Sequence, residues 1–496
     1  MRGLFFRPSA RFCAATASST NSHIGLIGVF AIFRLSRDKV VLCTLLLALL
    51  VLGGASRADA LSQAFVRAVA ICGLVAVFWK GREQTRLDAR PLVALLAGWT
   101  ALIAVQLVPL PPFIWTALPG RGILVDFYEV LEAGQPWRPI TLQPHMTFNS
   151  LLAMLVPWAA LLTAARLRGD EIALEVTVLV FLVLTICFGM LQMASGGRAF
   201  YFYEITSAGS PVGLFSNRNH NAFAISMIVP LLTHILLRRS KGDLQPGHLA
   251  LLVGTSFAAL VSILVIGSRT GLLLMLLALV GSWLLIRRAA KSAAAGRSRK
   301  HKALAPRVRM ALLAGGLLAA ALSAISVFIL YGERFLALRR MGGSVENEDR
   351  LAFLPVIAEV AGKYMPTGAG FGTFPAVFKI DEPDHALRLY YLNHAHNDAM
   401  EIAVEGGIVA VLLALAFLAL WGWRSVAAWR EDAKLQDVMQ ARLGAILSGL
   451  LLIGSLTDYP LRSPACAAIF AIACYWLFRG RQTAASRSNA PLTTRK

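Results

Sequence analysis

The sequence has few charged residues and no cysteine pairs. Of its 496 residues 15% are charged and 57% hydrophobic, and the mean hydropathy is +0.64. This composition excludes an ordinary soluble protein, and its polar interruptions exclude a fibrous one. The cysteines form no CxxC pair and mostly lie in apolar runs, so we expect neither disulfides nor a zinc site. Basic residues give a net charge of +21, but they stand in short clusters between apolar runs, which favours membrane topology over nucleic-acid binding.

Long apolar runs recur along the chain. A helix needs about 17 to 25 mainly apolar residues to cross the hydrocarbon region, and about twelve runs approach this length. They predict an all-α, polytopic integral membrane protein with about twelve transmembrane helices and a large external loop between helices 9 and 10. The predicted spans are 38–54, 61–79, 91–109, 148–165, 173–195, 219–237, 248–266, 270–286, 310–331, 398–423, 441–457 and 463–478.

The basic clusters predict the orientation of these helices. Cytoplasmic loops carry the excess of Lys and Arg, and every second connection is basic if the N-terminus lies inside. Residues 1–36 are then a tail, either disordered or cytoplasmic, residues 37–480 the transmembrane domain and residues 481–496 a basic cytoplasmic tail. The outer face receives two large segments, at about 110–147 and 332–397.

The segment YYLNHAHNDAMEIAVE, residues 390–405, carries most of the unusual polar groups. Such groups beside an apolar run are costly unless they are paired or hydrated, which makes them a hypothesis of function. His396 or His394 could take a proton from an attacking hydroxyl, with Glu405 or Asp398 as the orienting acid. The HxHxD spacing also leaves a metal site and a purely structural role open.

Two arginines are candidate anion contacts. Arg269 lies in IGSRTG between two spans with almost no loop, where it either reaches lipid headgroups or binds a phosphate. Arg350 precedes a run of helical periodicity. Pro355 in this run should either kink the helix or lie in its first turn. With Asn347 or Asp349 as the cap, Arg350 would stand at a helix N-terminus, a favourable place for an anion. The alternative is an ordinary cap with an exposed arginine.

Two further polar segments fall on the same predicted face. They are FSNRNHNAF, which holds Arg218, Asn219 and His220, and LTDYPLRSP, which holds Asp458 and Arg462. Each by itself is typical of a polar helix terminus. The topology assigned from Lys and Arg alone nevertheless collects all of these groups on one side of the membrane, which favours a shared site.

The sequence is similar to a known family in four segments, which occur in this order: GLFSNRNHNAFAISMIVPLL, SRTG, DRLAFLPVIAEVAGKYMPTGAGFGTF and NHAHNDAMEIAVEGGIVA. They resemble the superfamily of O-antigen ligases and O-antigen polymerases, over about residues 213–464. The most specific family motif is His, then Asn, Ser or Gln, then nine residues, Gly, two residues and Gly. It falls on His396, Asn397 and Gly407, with Ala410 in place of the last glycine.

The resemblance implies a bacterial inner-membrane glycosyltransferase with both termini cytoplasmic and a periplasmic active site. Its donor would be a glycan linked to undecaprenyl diphosphate, and it would need neither metal nor cofactor. His396 would be the catalytic base, and Arg269 and Arg350 would bind the diphosphate. Further contacts are expected from a second set of residues, which comprises Asn397, His394, Arg218, Asn219, His220, Asp458 and Arg462.

Alternatives remain at this point. A secondary transporter or flippase of lipid-linked sugars fits the number of spans, although the sequence shows no detectable internal repeat. A metal-dependent transferase could use the acidic run ENED at 346–349. The acceptor, whether lipid A core, a growing polysaccharide or a protein hydroxyl, is open.

Overall fold

The computed structural model describes residues 36–79, 89–242, 244–296, 345–384, 387, 392–431 and 436–479, and almost all of them are helical or connect helices. The α-helices are α1 (Arg37–Leu52), α2 (Ser62–Phe78), α3 (Arg90–Val105), α4 (Pro112–Trp115), α5 (Gly122–Val130), α6 (Pro144–Ala153), α7 (Leu155–Arg166), α8 (Glu171–Ala194), α9 (Arg218–Ser226), α10 (Ile228–Arg239), α11 (Pro246–Ile266), α12 (Arg269–Gly296), α13 (Val345–Tyr364), α14 (Phe374–Asp381), α15 (Asp398–Arg430), α16 (Gln436–Gly454) and α17 (Pro464–Phe478). A 3₁₀ turn at Pro460–Arg462 precedes α17.

The helical fold class is confirmed, but the number of twelve spans stays a prediction. Eleven predicted spans coincide with described helices, and the span at 310–331 lies outside the described residues. Six segments are long and apolar enough to cross a membrane, namely Pro144–Arg166, Glu171–Ala194, Arg218–Arg239, Pro246–Ile266, Arg269–Ser292 and Asp398–Arg430. The chain is therefore an integral membrane protein. Residues 1–35 of the predicted N-terminal tail and the whole of the predicted basic C-terminal tail, 481–496, also lie outside the described residues.

The predicted outer segment at about 110–147 contributes to a short two-stranded sheet, which the predicted all-α fold class does not include. Pro109–Leu110 (β1) pairs antiparallel with Arg138–Pro139 (β2), so that Pro109 faces Pro139. Arg121 is buried beneath this pair and donates hydrogen bonds to the carbonyl oxygens of Pro119, Ile140 and Gly368. Burial lowers the pKa of Arg121 to about 10, so its guanidinium remains charged at neutral pH.

Two helical segments form the centre of the bundle. Nearly every side chain of α17 is buried, and α17 packs against α16 and α7. The α9–α10 segment is likewise enclosed by other helices. Helices that are apolar on all sides are expected at the centre of a bundle. The polar residues of these segments stand at or near their ends. Arg218–His220 at the start of α9 and Asp458–Arg462 just before α17 therefore lie at one end of the bundle.

A break in α15 shapes the same end. Gly407 has a φ of +61°, a conformation that glycine adopts without strain, and a Cβ there would lie 2.1 Å from the carbonyl oxygen of Pro366. The break lets the carbonyl groups of Val404 and Glu405 accept hydrogen bonds from the backbone amides of Ala369 and Gly370. The residues before Gly407 thus form a separate short helix, which is held by the glycine-rich turn at 366–374.

Helix α13 differs from its predicted form. Pro355 lies inside α13, which is described from Val345 to Tyr364, so the alternative of a proline in the first turn is wrong, and the predicted kink at Pro355 stays a prediction. Arg350 consequently lies in the second turn and not at the N-terminus, which corrects the predicted anion seat there. The side chain of Arg350 and the acidic run at 346–349 lie outside the described side chains.

A buried ion network joins α8, α10 and α17 at the other end of the bundle. Arg238 lies 3.1 Å from Glu171 and 3.1 Å from Glu175, and Arg479 lies 2.7 Å from Glu171. His234 faces Glu175 at 3.3 Å. We call this group the inner network. At about 1.5 Å of rise per residue, its Arg238 lies roughly 27 Å along α9–α10 from His220.

Candidate active site

Asp458 is the centre of the polar cluster. It is fully buried, and its Oδ1 lies 3.5 Å from His396 Nδ1 and 3.6 Å from His220 Nε2. Its Oδ2 accepts a hydrogen bond of 2.6 Å from the side-chain amide of Asn219, and Asn217 donates to its Oδ1 at 3.4 Å. Burial alone would raise the pKa of Asp458, but the two histidines outweigh it by hydrogen bonding and charge and hold that pKa well below its ordinary range.

Two asparagine N-caps stand where the starts of α9 and α15 meet the segment that contains Asp458. Asn217 caps α9 by accepting the amide hydrogen of Asn219, and Asn397 caps α15 by accepting those of Ala399 and Met400. Asn397 also donates to the carbonyl oxygen of Leu456 at 3.1 Å. The two caps thus begin their helices at the segment that joins α16 to α17.

Three histidines surround the ring of Tyr459. The ring centroids of His394, His396 and His220 lie 4.2, 4.9 and 5.1 Å from that of Tyr459. Asn217 donates to its hydroxyl oxygen at 3.4 Å. Tyr459 thereby separates two sides of the site, since His394 belongs to a second network, whereas His220 and His396 share Asp458.

The backbone of His396 is strained. Its φ is +49°, in the left-handed region that only a few per cent of residues other than glycine adopt, with histidine among the more frequent of them. Strain of this kind costs on the order of 1–3 kcal/mol and persists where the surrounding structure determines it, often at functional sites. The conformation directs His396 towards Asp458 immediately before the cap at Asn397.

The second network is built on Arg462. Its guanidinium lies 2.9 Å from Glu405, 3.4 Å from Glu401 and 3.8 Å from Asp398, all on the short helix before Gly407. Burial would lower the pKa of Arg462, but the three carboxylates outweigh it and raise that pKa above its ordinary value. Glu401 also holds His394, whose Nδ1 lies 2.8 Å from Glu401 Oε1. The spacing i, i+3 and i+7 explains how one helix face presents all three acids to one arginine.

Two of the predicted contact residues, Arg218 and Arg269, occupy different positions relative to Asp458. Arg218 lies between the two asparagines that contact Asp458, and Arg269 is exposed at the start of α12. The next residue, Thr270, contacts Thr457 through a 3.0 Å hydrogen bond between their hydroxyls, so α12 begins beside the Asp458 segment.

The acid predicted to orient His396 requires a correction. Glu405 and Asp398 were expected in that role, but both carboxylates face Arg462, and Asp458 is the acid beside His396. Sequence reasoning also missed Glu401 and Tyr459. The helical spacing of Glu401 between Asp398 and Glu405 could have indicated the former, whereas Tyr459 carries no pattern beyond its place next to Asp458.

The described residues contain no group of three or more His, Cys, Asp and Glu side chains that is arranged to hold a metal ion. The paired histidines and acids do have the geometry for proton transfer. An imidazole whose Nδ1 faces a buried carboxylate is held in one tautomer, and its Nε2 is then suited to accept a proton.

Comparison with known proteins agrees with this geometry. Residues 254–415 match the family model described as O-antigen ligase. This segment belongs to the O-antigen ligase family. It contains Arg269, Arg350 and His396, and it ends before Asp458 and Arg462. No curated protein matches the chain. The O-antigen ligase segment indicates glycan transfer of the ligase or polymerase type by an integral membrane protein, and it leaves donor and acceptor open.

Proposed function

We propose that the protein transfers or polymerises glycan from an undecaprenyl-diphosphate-linked donor onto an acceptor hydroxyl at the periplasmic face of the bacterial inner membrane. The carrying observation is the convergence of His396, Asp458 and the start of α12 at one end of the bundle, within and beside the O-antigen ligase segment. The polar groups of the site lie at helix ends, where a hydroxyl and a lipid-bound diphosphate can meet.

His396 is the base in this proposal. The acceptor hydroxyl attacks the anomeric carbon of the donor, and its proton passes to Nε2 of His396. A new carbon–oxygen bond forms while the bond from the anomeric carbon to the diphosphate oxygen breaks, and undecaprenyl diphosphate leaves with the electron pair. Asp458 faces Nδ1 at 3.5 Å and stabilises the imidazolium that results. No metal is needed in this scheme.

Arginines offset the charge of the leaving diphosphate. Arg269 is exposed at the N-terminus of α12, where a guanidinium and helix amides favour an anion. Arg350 is proposed as the second diphosphate contact on the resemblance alone, and Arg218 as a further contact because its neighbours bind Asp458. A fixed guanidinium close to developing charge stabilises the transition state.

Reconstitution tests the proposal. Full-length protein in vesicles is given an undecaprenyl-diphosphate-linked glycan and either lipid A core or a second lipid-linked glycan. The expected result is release of undecaprenyl diphosphate in step with glycan transfer, with chelator present throughout. A ladder of products indicates a polymerase, and a single addition to lipid A core indicates a ligase. Movement of the lipid-linked sugar across the vesicle membrane without transfer would replace this proposal by the transporter alternative.

A further inference from the structure

A cavity of about 340 Å³ has His394 in its lining, and the ring centroid of His394 lies 4.2 Å from that of Tyr459. Its lining comes from α2, α3, α6, α7, α15 and α17, and it includes His394, Arg462 and the three acids around Arg462. His396 and Asp458 are not among the described residues that line it. The lining is thus distinct from the proposed catalytic pair, although His394 of the lining and His396 of the pair both contact the ring of Tyr459.

Part of the cavity wall is apolar and comes from helices of the bundle. Leu96 and Trp99 of α3, Pro157 of α7 and Phe470 of α17 contribute to its walls. Trp99 precedes the outer end of α3 by six residues, which is about 9 Å at 1.5 Å per residue. An alkyl or prenyl chain can occupy such a space, while the polar residues of the lining, among them His394, Asp398 and Arg462, stand near helix ends.

Three buried polar atoms of the lining have no hydrogen-bond partner within the described part of the chain. They are Arg67 Nε, His394 Nε2 and Asp398 Oδ2. Buried polar atoms are almost always hydrogen-bonded, so unpaired ones beside a cavity indicate a ligand or water. Arg67 Nε can only donate, Asp398 Oδ2 can accept, and His394 Nε2 can do either. A ligand that satisfies all three must both donate and accept, which is the property of a hydroxyl group.

The charge of the lining decides against a diphosphate. Three carboxylates, those of Asp398, Glu401 and Glu405, face two guanidinium groups, those of Arg67 and Arg462. The acids of the lining thus outnumber its guanidinium groups. A diphosphate needs an excess of positive charge, which this cavity does not have. A neutral carbohydrate needs hydrogen-bond donors and acceptors and an aromatic wall, and Trp99 supplies the last.

We propose that this cavity binds the neutral, hydroxyl-bearing head of an amphiphilic glycan, with its chain in the apolar part, and that His394 contacts a hydroxyl through Nε2. Glu401 occupies Nδ1 and holds the ring, which makes Glu401 a positioning residue for His394. Resting on the proposed function, we assign this glycan as the acceptor, whose reacting hydroxyl would pass Tyr459 to reach His396. The donor diphosphate then lies on the other side of that ring.

A binding experiment tests the cavity without any need for transfer. Full-length protein in nanodiscs is exposed to a photoactivatable alkyl maltoside or to the matching alkyl phosphate, and the labelled peptides are mapped. We expect the maltoside to label α3, α6 and α7. Ala153→Phe, which fills the cavity, should reduce this labelling about 10-fold or more, whereas Ala101→Phe at an exposed position of α3 should leave it unchanged. Stronger labelling by the alkyl phosphate, or labelling that ignores Ala153→Phe, overturns the proposal.

The kinetic arm separates this inference from the proposed function. His394→Gln and Ala153→Phe should raise KM for the acceptor and leave KM for the donor unchanged, with Ser150→Leu as a second filling variant if Ala153→Phe does not fold. A rise in KM for the donor alone would assign the cavity to the donor and refute the proposal. If the protein shows no transfer at all, the proposed function fails, while the labelling result still decides the ligand class of the cavity.

Discussion

The two buried ion networks of this protein have different compositions, although each lies at one end of the bundle. In the inner network two glutamates meet Arg238 and Arg479, with His234 beside them. The outer network is the Asp458 cluster together with the Arg462 network. In it three acids face a single arginine, Arg462, while Asp458 faces His220 and His396, and His394 pairs with Glu401. Guanidinium groups keep their charge at any physiological pH, whereas an imidazole changes its charge near neutrality. The inner network is built for permanent pairing, and the outer one can exchange protons.

The surroundings of the two networks differ in the same sense. The outer network borders a cavity, contains a histidine with positive φ and sits beside a broken helix. In the inner network Glu171, Glu175, His234 and Arg238 lie within regular helices, and Arg479 directly follows the end of α17. A buried ion pair adds little to stability, yet it is costly to break, so such a pair often holds a fold rather than performs chemistry. Strain and access therefore distinguish the two ends better than the number of charges does.

Of the changes that test this comparison, loss of His396 should reduce glycan transfer the most. His396→Ala removes the proposed base and should reduce glycan transfer by about 10²- to 10⁴-fold, with thermal unfolding close to that of the wild type. His234→Ala in the inner network is the matched control and should retain transfer per folded molecule. Normal product from His396→Ala, or complete loss of transfer in a folded His234→Ala protein, would show that the two networks have been assigned the wrong roles.

Breaking the inner network should affect stability instead of chemistry. Arg238→Leu leaves Glu171 and Glu175 without their shared cation and should cost roughly 3–5 kcal/mol of unfolding free energy. Arg239→Leu alters the exposed neighbour and should cost no more than about 0.5 kcal/mol. Denaturant unfolding in detergent measures both variants. Equal stability of the two would refute a structural role for the inner network.

The break in α15 should be the next most sensitive feature. Gly407→Ala introduces a Cβ that meets the backbone of Pro366 and Gly368 in a residue of positive φ, and it should cost about 1–3 kcal/mol and reduce transfer. Gly422→Ala lies in the same helix, with open space around it, and should be neutral or slightly stabilising. Thermal unfolding and transfer assays of the pair compare them directly. The break would be dispensable if Gly407→Ala behaved like Gly422→Ala.

A change of pH between 5 and 8 should have the smallest effect on the site, because Asp458 stays ionised over this range. Its pKa is depressed, so the stability contributed by its ionised form is complete above the unfolded value of about 3.9 and is lost only as the pH falls through the folded pKa. Infrared difference spectra at pH 5 and pH 8 should therefore show no protonated carboxyl band from Asp458. A band at pH 5 that is missing in Asp458→Asn would contradict the pairing with His220 and His396.

The helices and the candidate site differ in how much of them could be predicted. Eleven spans were placed near described helices because apolar run length depends on composition over a short stretch. The polar segments at 215–223, 390–405 and 456–464 were predicted to share one face, and their side chains contact one another. The partner of His396 was predicted wrongly, because Asp398 is closer in sequence but its helix turns its carboxylate towards Arg462.

The sequence by itself determined that this is an apolar, helical membrane protein whose unusual polar groups gather at one end, since hydropathy and charge distribution act locally along the chain. Only the tertiary structure decided which of these groups meet. Asp458 lies 62 residues beyond His396 and reaches it because α17 is enclosed at the centre of the bundle, which places its N-terminal turn beside the cap of α15. Such pairings depend on packing between helices that are distant in sequence, and no local pattern records them.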